Sequence, residues 1–208
     1  MDKKYEALLE NLVEEGYITT PEYIEAFRQV RRDSFLPAGM EMEASVNAPL
    51  PIGHDQTISQ PLTVAFMLEM LSPQPGNTVL DIGSGSGWTT ALLAQIVGPT
   101  GHVYAVELIP ELYEFGKANV AKYQFKNVTM LCGNGTKGLL GHGPFDRIQV
   151  AAAAKKIPQV LLDQLAMGGK MIIPTQAEDL RLVTRVTKDK YETKIFPGFL
   201  FVPLVEKK

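Results

Sequence analysis

The chain has 208 residues, 45% hydrophobic and 21% charged, with a formal net charge of −3, a balance typical of one medium-sized α/β domain with a sizeable core. The acidic balance argues against a general nucleic-acid binder, which usually carries a basic excess. The single cysteine, Cys132, excludes an internal disulfide and is compatible with a reducing cytoplasm, and the three histidines are too dispersed for metal-ligand spacing.

The first sixty residues predict two helices followed by a loop. Residues 3–15 place apolar side chains on one side of a helix, and Thr20–Pro21 combines a capping hydroxyl with a proline for the start of a second helix ending at Arg31. Residues 44–60 contain several turn formers without periodicity, so we predict a loop there. The charged amino terminus does not resemble a signal peptide, and no apolar run approaches the length of a membrane span. We therefore expect a cytoplasmic protein without a membrane partner.

From residue 61 onward, predicted helices and strands alternate. Helices are expected at 61–71, 89–97, 110–123 and 158–165, and strands at 78–82, 102–106, 128–132, 145–150, 170–173, 180–187, 191–195 and 199–205. Alternation of this kind predicts a mostly parallel, Rossmann-like sheet with helices on both faces, and the late β run predicts an antiparallel edge. Cys132 ends one of these apolar strands, so we interpret it as a small buried residue.

The most informative segment is the glycine loop, defined as residues 83–87, between a predicted buried strand and a predicted helix. Gly83, Gly85 and Gly87 would let a nucleotide-like ligand approach bare backbone at the helix amino terminus. Glu107 ends the next strand, 20 residues after Gly87, where a βαβ unit places a carboxylate for a ribose diol. The alternative for Glu107 is a solvated residue at a strand end. For Asp81, before the loop, direct ligand contact and capping of the loop both stay open.

The spacing of the glycines distinguishes between cofactors. A dinucleotide fingerprint needs a glycine where this chain has Trp88, which makes an NAD-dependent oxidoreductase a poor match. S-adenosylmethionine has an amino-acid tail for the loop, a ribose for Glu107 and an adenine. We therefore predict S-adenosylmethionine as the cofactor and no metal.

A second motif points to one family. Residues 52–61, Ile-Gly-His-Asp-Gln-Thr-Ile-Ser-Gln-Pro, together with the glycine loop, resemble the protein-L-isoaspartate O-methyltransferases. The resemblance extends over nearly the whole chain, including residues 35–37, 106–112, 133–138, 144–148, 168–174 and 201–204. It implies a seven-stranded class I methyltransferase fold in one domain, residues 1–208. Residues 1–60 would form a helical and substrate-loop extension, and residues 61–208 the cofactor-binding core.

The resemblance also implies an activity and a site. Members of the family methylate the free α-carboxylate of L-isoaspartyl residues in damaged proteins, which would be this chain's partners, and we expect it to act as a monomer. Ser59 is carried over as the catalytic residue. From the local sequence alone, a helix cap ahead of Pro61 is equally plausible for it. The cofactor-binding positions carried over or inferred are Thr57, Ile58, Ser59, Gln60, Asp81, Gly83, Ser84, Gly85, Gly87, Glu107, Leu108, Asn134 and Gly135.

Several residues depart from the family pattern. Asn134 stands at a usual aspartate, so we expect its oxygen to accept from the adenine amine without charge assistance and the cofactor affinity to be weaker. Asp55 replaces a glycine, Ala151 a threonine and Leu200 an arginine, and Thr175–Gln176 replaces Val-Gly. An added anion and a lost cation should disfavour an anionic substrate. The alternatives are therefore a divergent paralogue that methylates another carboxylate or a modified peptide, and a non-catalytic binder of damaged proteins.

Overall fold

The computed structural model describes residues 3–205, and its centre is a seven-stranded sheet. The strands within this range are β1 Leu50–Gly53, β2 Gln56–Ile58, β3 Thr78–Ile82, β4 His102–Glu107, β5 Val128–Cys132, β6 Phe145–Val150, β7 Leu165–Thr175, β8 Asp179–Arg185 and β9 Tyr191–Pro197. The order in the large sheet is β5-β4-β3-β6-β7-β8-β9. The first five strands in this order run parallel, and β8 and β9 are antiparallel. The predicted Rossmann-like sheet with an antiparallel carboxyl-terminal edge is confirmed.

Helices cover the two faces of this sheet unequally. They are α1 Lys3–Glu14, α2 Pro21–Gln29, α3 Pro61–Leu71, α4 Trp88–Val97, α5 Pro110–Ala121 and α6 Gln159–Asp163. Helices α1 to α5 share a hydrophobic cluster with Val79 and Val103, whereas α6 packs on the cluster containing Leu80 and Ile148. Successive strand residues face opposite sides of a sheet, which separates Val79 from Leu80. None of the helices within residues 3–205 is long and apolar enough to cross a membrane.

The order of the strands locates a crevice. Strand β3 pairs with β4 on one side and with β6 on the other, so the chain reverses its direction of progress across the sheet at β3. Ligands of open α/β sheets bind at such a switch point, outside the carboxyl ends of the strands. The strand ends at Ile82, Glu107 and Val150 therefore define where a ligand is expected.

The prediction of a loop at residues 44–60 is wrong. Residues Glu41–Ser45 form a 3-10 helix, and β1 and β2 form an antiparallel hairpin in which Leu50 faces Ile58. His54 and Asp55, at the tip of the hairpin, have φ angles of 53° and 56°. Two consecutive left-handed residues suit the right-handed twist of a two-residue hairpin turn, and aspartate adopts this conformation more readily than most residues.

The prediction of a strand at residues 199–205 is also wrong. This segment makes a single parallel bridge between Pro203 and Ala153, in which Ala153 N donates to Val202 O and Leu204 N donates to Ala153 O. Proline has no backbone N–H with which to extend a ladder. The segment consequently lies along the carboxyl ends of the strands instead of joining the sheet.

Smaller differences concern element ends and Cys132. The second helix stops at Gln29, before a 3-10 helix at Arg32–Phe35, and the helix expected at 158–165 is shorter because β7 begins at Leu165. Cys132 is exposed, since it ends the edge strand β5, so its interpretation as a buried residue is wrong.

Candidate active site

The glycine loop connects β3 to α4 and needs its glycines for two different reasons. Gly83, Gly85 and Gly87 have φ angles of 79°, 50° and 84°, a region that glycine enters without a steric penalty. A Cβ on Gly87 would also come within 2.9 Å of Gly116 O on α5. Gly87 thus permits close helix packing, whereas Gly83 and Gly85 line the cavity at the switch point.

Glu107 fixes this loop from the end of β4. Its side chain is buried, Oε2 accepts from Gly85 N at 2.8 Å, and Oε1 accepts from Ile109 N at 3.0 Å. The alternative of a solvated residue is therefore wrong. Each carboxylate oxygen retains acceptor capacity, and Glu107 lines the cavity, so the carboxylate is able to receive a diol while it holds the loop.

Asp81 has a different role from the one carried over for it. It is buried and does not line the cavity, and its Oδ2 accepts from Thr90 Oγ1 on α4 at 2.6 Å. Burial raises the pKa of the carboxyl to about 6; the hydrogen bond from Thr90 opposes this rise in pKa, and the negative charge of Glu107 adds to it. Asp81 therefore supports the start of α4 beneath the loop, where the structure gives it no direct route to a ligand.

Ser84 provides a test of whether the cavity suits a polar cofactor. Its Oγ is buried and has no hydrogen-bond partner within residues 3–205, and the residue lines the cavity. A buried hydroxyl without a partner costs about 1–3 kcal/mol, a cost that a ligand group would remove. An orphaned hydroxyl beside exposed glycine backbone fits the charged amino-acid tail of S-adenosylmethionine.

The hairpin brings Ser59 to the opposite side of the same cavity. Thr57, Ile58 and Ser59 line it, whereas Gln60 does not. Gln60 is the N-cap residue of α3 and makes no side-chain cap bond, so the alternative of Ser59 as a helix cap is wrong. Ser59 and the glycine loop face one cavity although 23 residues separate Ser59 from Ile82.

Asn134 and Gly135 follow β5 and close the cavity on a third side. Asn134 Oδ1 accepts from Thr136 N at 2.9 Å and from Thr136 Oγ1 at 2.7 Å. The oxygen expected to accept from the adenine amine is thus already engaged, which places the hydrogen-bonding expectation for Asn134 in conflict with the structure. A Cβ on Gly135 would lie 2.5 Å from Ile82 Cγ2, so glycine is needed there for packing.

Of the predicted site residues, ten line the cavity and three, Gln60, Asp81 and Gly87, do not. The sequence interpretation missed much of the apolar lining, which comes from elements distant in the chain: Ile52, Gln56, Ile82, Trp88, Val106, Ile109, Leu112, Ala152 and residues 202–205. Trp88 was noted only as the residue in place of a glycine. It is buried, and its Nε1 donates to Val30 O at 3.0 Å, which joins the cavity to the amino-terminal helices.

The residues that depart from the family pattern are distributed unevenly around the cavity. Ala151 lines it, and its Cβ is 3.7 Å from the Cβ position of Gly83. Asp55 and Leu200 are exposed and do not line it. A direct charge effect on a ligand inside the cavity is accordingly not expected from either residue.

A seven-stranded sheet of this order, with a glycine loop and an acid at the ends of adjacent strands, defines a class I methyltransferase. A solved structure from Plasmodium falciparum, described as a protein-L-isoaspartate O-methyltransferase in complex with S-adenosyl-L-homocysteine, superimposes with a TM-score of 0.87 at 26% identity, covering 98% of this chain and 99% of that one. The family profile "Protein-L-isoaspartate(D-aspartate) O-methyltransferase (PCMT)" matches residues 3–208.

Relatives in archaea agree with this assignment. A protein-L-isoaspartate O-methyltransferase from Aeropyrum pernix is 45% identical over 95% of this chain and 78% of that protein. One from Ignicoccus hospitalis is 42% identical over the full length of both chains. The chain belongs to the protein-L-isoaspartate O-methyltransferase family and is an S-adenosylmethionine-dependent enzyme.

Proposed function

We propose that Ser59 and the glycine loop together perform methyl transfer from S-adenosylmethionine to the free α-carboxylate of L-isoaspartyl residues in damaged proteins and peptides. The observation that carries this assignment is that both line one cavity at the switch point of a fold whose family has this activity. The partners are isoaspartyl-containing proteins, and the enzyme acts as a monomer.

The cofactor lies along the carboxyl ends of β3, β4 and β5. Gly83, Ser84 and Gly85 hold the methionine part, Glu107 accepts from the ribose hydroxyls, and the segment at Asn134–Gly135 holds the adenine. Supporting this placement are the unpartnered Ser84 hydroxyl, the burial of Glu107 and the exposed backbone of the loop. Bound there, S-adenosylmethionine supplies an electrophilic methyl group on a sulfonium sulfur.

The protein contributes positioning in preference to acid–base chemistry. Glu107 is the single acidic or basic side chain among the described residues that line the cavity, and it is engaged with two backbone N–H groups. An α-carboxylate is already ionised near pH 7 and needs no general base. Ser59 therefore orients the substrate carboxylate, and the apolar lining excludes water from the site.

One assay tests the activity, and a variant tests the role of Ser59. Purified protein is given methyl-labelled S-adenosylmethionine with an isoaspartyl peptide and the matched aspartyl peptide, and we expect transfer to the isoaspartyl peptide alone. Ser59→Ala should lower kcat at least tenfold while the Kd for S-adenosylhomocysteine and the melting temperature stay within error. Thr63→Ala, on the first turns of α3, is the control.

Three results would contradict parts of this proposal. Normal turnover by Ser59→Ala would remove Ser59 from the reaction. Cofactor binding without transfer to the isoaspartyl peptide would favour another carboxylate or a modified peptide, for which the missing hydroxyl at Ala151 is the structural reason. Absence of cofactor binding would favour a non-catalytic binder of damaged proteins.

A further inference from the structure

Arg32 is a fully buried cation beside the active-site hairpin. It begins the 3-10 helix after α2 and has no accessible surface. Its Nη1 donates to Val46 O at 2.8 Å and to Ala44 O at 3.4 Å, and its Nη2 donates to Ala48 O at 2.7 Å. These three carbonyl groups belong to the irregular segment 44–48, which precedes the hairpin and has little regular structure of its own to hold it.

The same guanidinium also reaches the far end of the hairpin. Nη2 donates to Ser59 O at 3.1 Å and approaches Ile58 O at 3.5 Å. The planar fork of one side chain thus connects the segment before β1 to the segment after β2. Because Ile58 and Ser59 line the cavity, this connection ends at the residue proposed to orient the substrate.

Backbone dipoles and an aromatic ring surround the charge. Within residues 3–205, Arg32 makes no ion pair, and its guanidinium carbon lies 5.6 Å from the centroid of the Trp88 ring, which also lines the cavity. Burial lowers the pKa of Arg32 to about 10, which leaves it protonated at neutral pH. A buried cation with carbonyl partners alone is costly to keep, and a simple hydrophobic staple would hold two segments together without that cost.

We propose that Arg32 is a positioning residue for methyl transfer, whose guanidinium fixes the main chain of Ser59 relative to segment 44–48 and so sets the place of the Ser59 side chain over the cofactor. This inference rests on the proposed role of Ser59. The geometry depends on a fork of donors, which lysine does not have although it keeps the charge. Arg32→Lys therefore separates the fork from the charge.

A second arginine of the same chain supplies a matched control. Arg147, near the start of β6, is half-buried and donates from Nε to Ser72 O at 3.0 Å and from Nη1 to Asp146 O at 2.7 Å. It belongs to the opposite end of β6 from the cavity and does not line it. Arg147→Lys should therefore lower stability as Arg32→Lys does, without the effect on turnover.

The experiment measures turnover, cofactor binding and local opening on the same samples. For Arg32→Lys we expect kcat with an isoaspartyl peptide to fall at least tenfold and the Kd for S-adenosylhomocysteine, from calorimetry, to change less than threefold. Amide hydrogen exchange at residues 44–60 should accelerate at least tenfold. For Arg147→Lys, kcat and exchange at residues 44–60 should stay within twofold of the wild type. A folded Arg32→Lys with normal kcat, or with unchanged exchange at residues 44–60, would overturn the proposal.

A milder variant serves if Arg32→Lys does not fold. Asn47 is exposed, its Oδ1 accepts from Leu62 N at 3.1 Å, and its carbonyl accepts from Gln60 Nε2 at 3.0 Å. Asn47→Ala should loosen segment 44–48 and lower kcat about threefold with an unchanged Kd, and no change in kcat or exchange would count against the proposal. If the wild type binds cofactor but methylates no isoaspartyl peptide, the proposed function fails, and the exchange measurement still decides the role of Arg32.

Discussion

Replacing Glu107 with glutamine changes one atom in the group that holds the glycine loop. In the wild type, Gly85 N and Ile109 N each donate to a different carboxylate oxygen, at 2.8 and 3.0 Å. A glutamine offers one oxygen and one NH2 group, so one of the two backbone donors must face another donor. A hydrogen bond to a charged group contributes about 1.5–3 kcal/mol, and losing one of the two should lower the free energy of unfolding by on the order of 2 kcal/mol.

The same substitution affects the cofactor directly. An NH2 group cannot accept from a ribose hydroxyl, and the loop that carries Gly85 is no longer fixed from below. If the loss of binding free energy is about 1.5–3 kcal/mol, the Kd for S-adenosylhomocysteine rises roughly 10- to 150-fold, because each 1.4 kcal/mol is tenfold. Calorimetry and thermal unfolding of Glu107→Gln measure both effects.

A nearby acid provides the control for the change in charge. Glu111 is exposed in the first turn of α5, and Glu111→Gln removes the same charge without touching the loop. We expect its Kd to stay within twofold of the wild type. A folded Glu107→Gln that binds S-adenosylhomocysteine as tightly as Glu111→Gln would refute the assignment of Glu107 to the ribose.

Three further predictions concern single positions around the site. Gly87→Ala should destabilise the protein by about 2–5 kcal/mol, from left-handed strain and the clash with α5, whereas Gly16→Ala, at φ 75° with open space around its Cβ, should show the strain alone, about 1–2 kcal/mol; equal melting temperatures would contradict this. Because the folded-state pKa of the Asp81 carboxyl is raised, the folded protein binds the proton more tightly, so stability should fall by about 3 kcal/mol as pH rises from 4 through 6. Asp81→Asn should abolish that fall in chemical denaturation at pH 4 and 7, and an unchanged slope would exclude Asp81 as its source. Asp55→Gly should lower KM for an isoaspartyl peptide by a salt-sensitive amount only if charge matters, in which case Asp55→Asn does the same; Asp55→Gly alone should raise the melting temperature, since it relieves a φ of 56°.

Elements that form from local patterns could be predicted from the sequence with little error. Helix α3 and strands β5 and β6 have the predicted bounds, because each is an apolar run bounded by proline, glycine or asparagine. The glycine loop could be predicted for the same reason: its function requires residues that are contiguous in the chain. Its position at the switch point then follows from the order of the strands.

Elements that depend on distant partners could not be predicted in this way. Strands β1 and β2 have four and three residues, with Pro51 inside the first, and they are held by Arg32 from outside the hairpin. Residues 199–205 alternate like a strand, yet the sheet already ends at β9, and the segment finds its single bridge at Ala153. Neither partner is visible in the local sequence.

The two acids on either side of the glycine loop show how a shift of one residue along a strand decides chemical role. Both lie at the ends of adjacent parallel strands, and from the sequence both are candidates for ligand contact. Asp81 is followed by one more strand residue, Ile82, so its side chain remains within the sheet layer and meets Thr90 on α4. Glu107 is the last residue of β4, so its carboxylate reaches beyond the sheet to the backbone of the loop. The buried acid therefore titrates and supports the helix, and the acid at the strand end is the one available to a ligand.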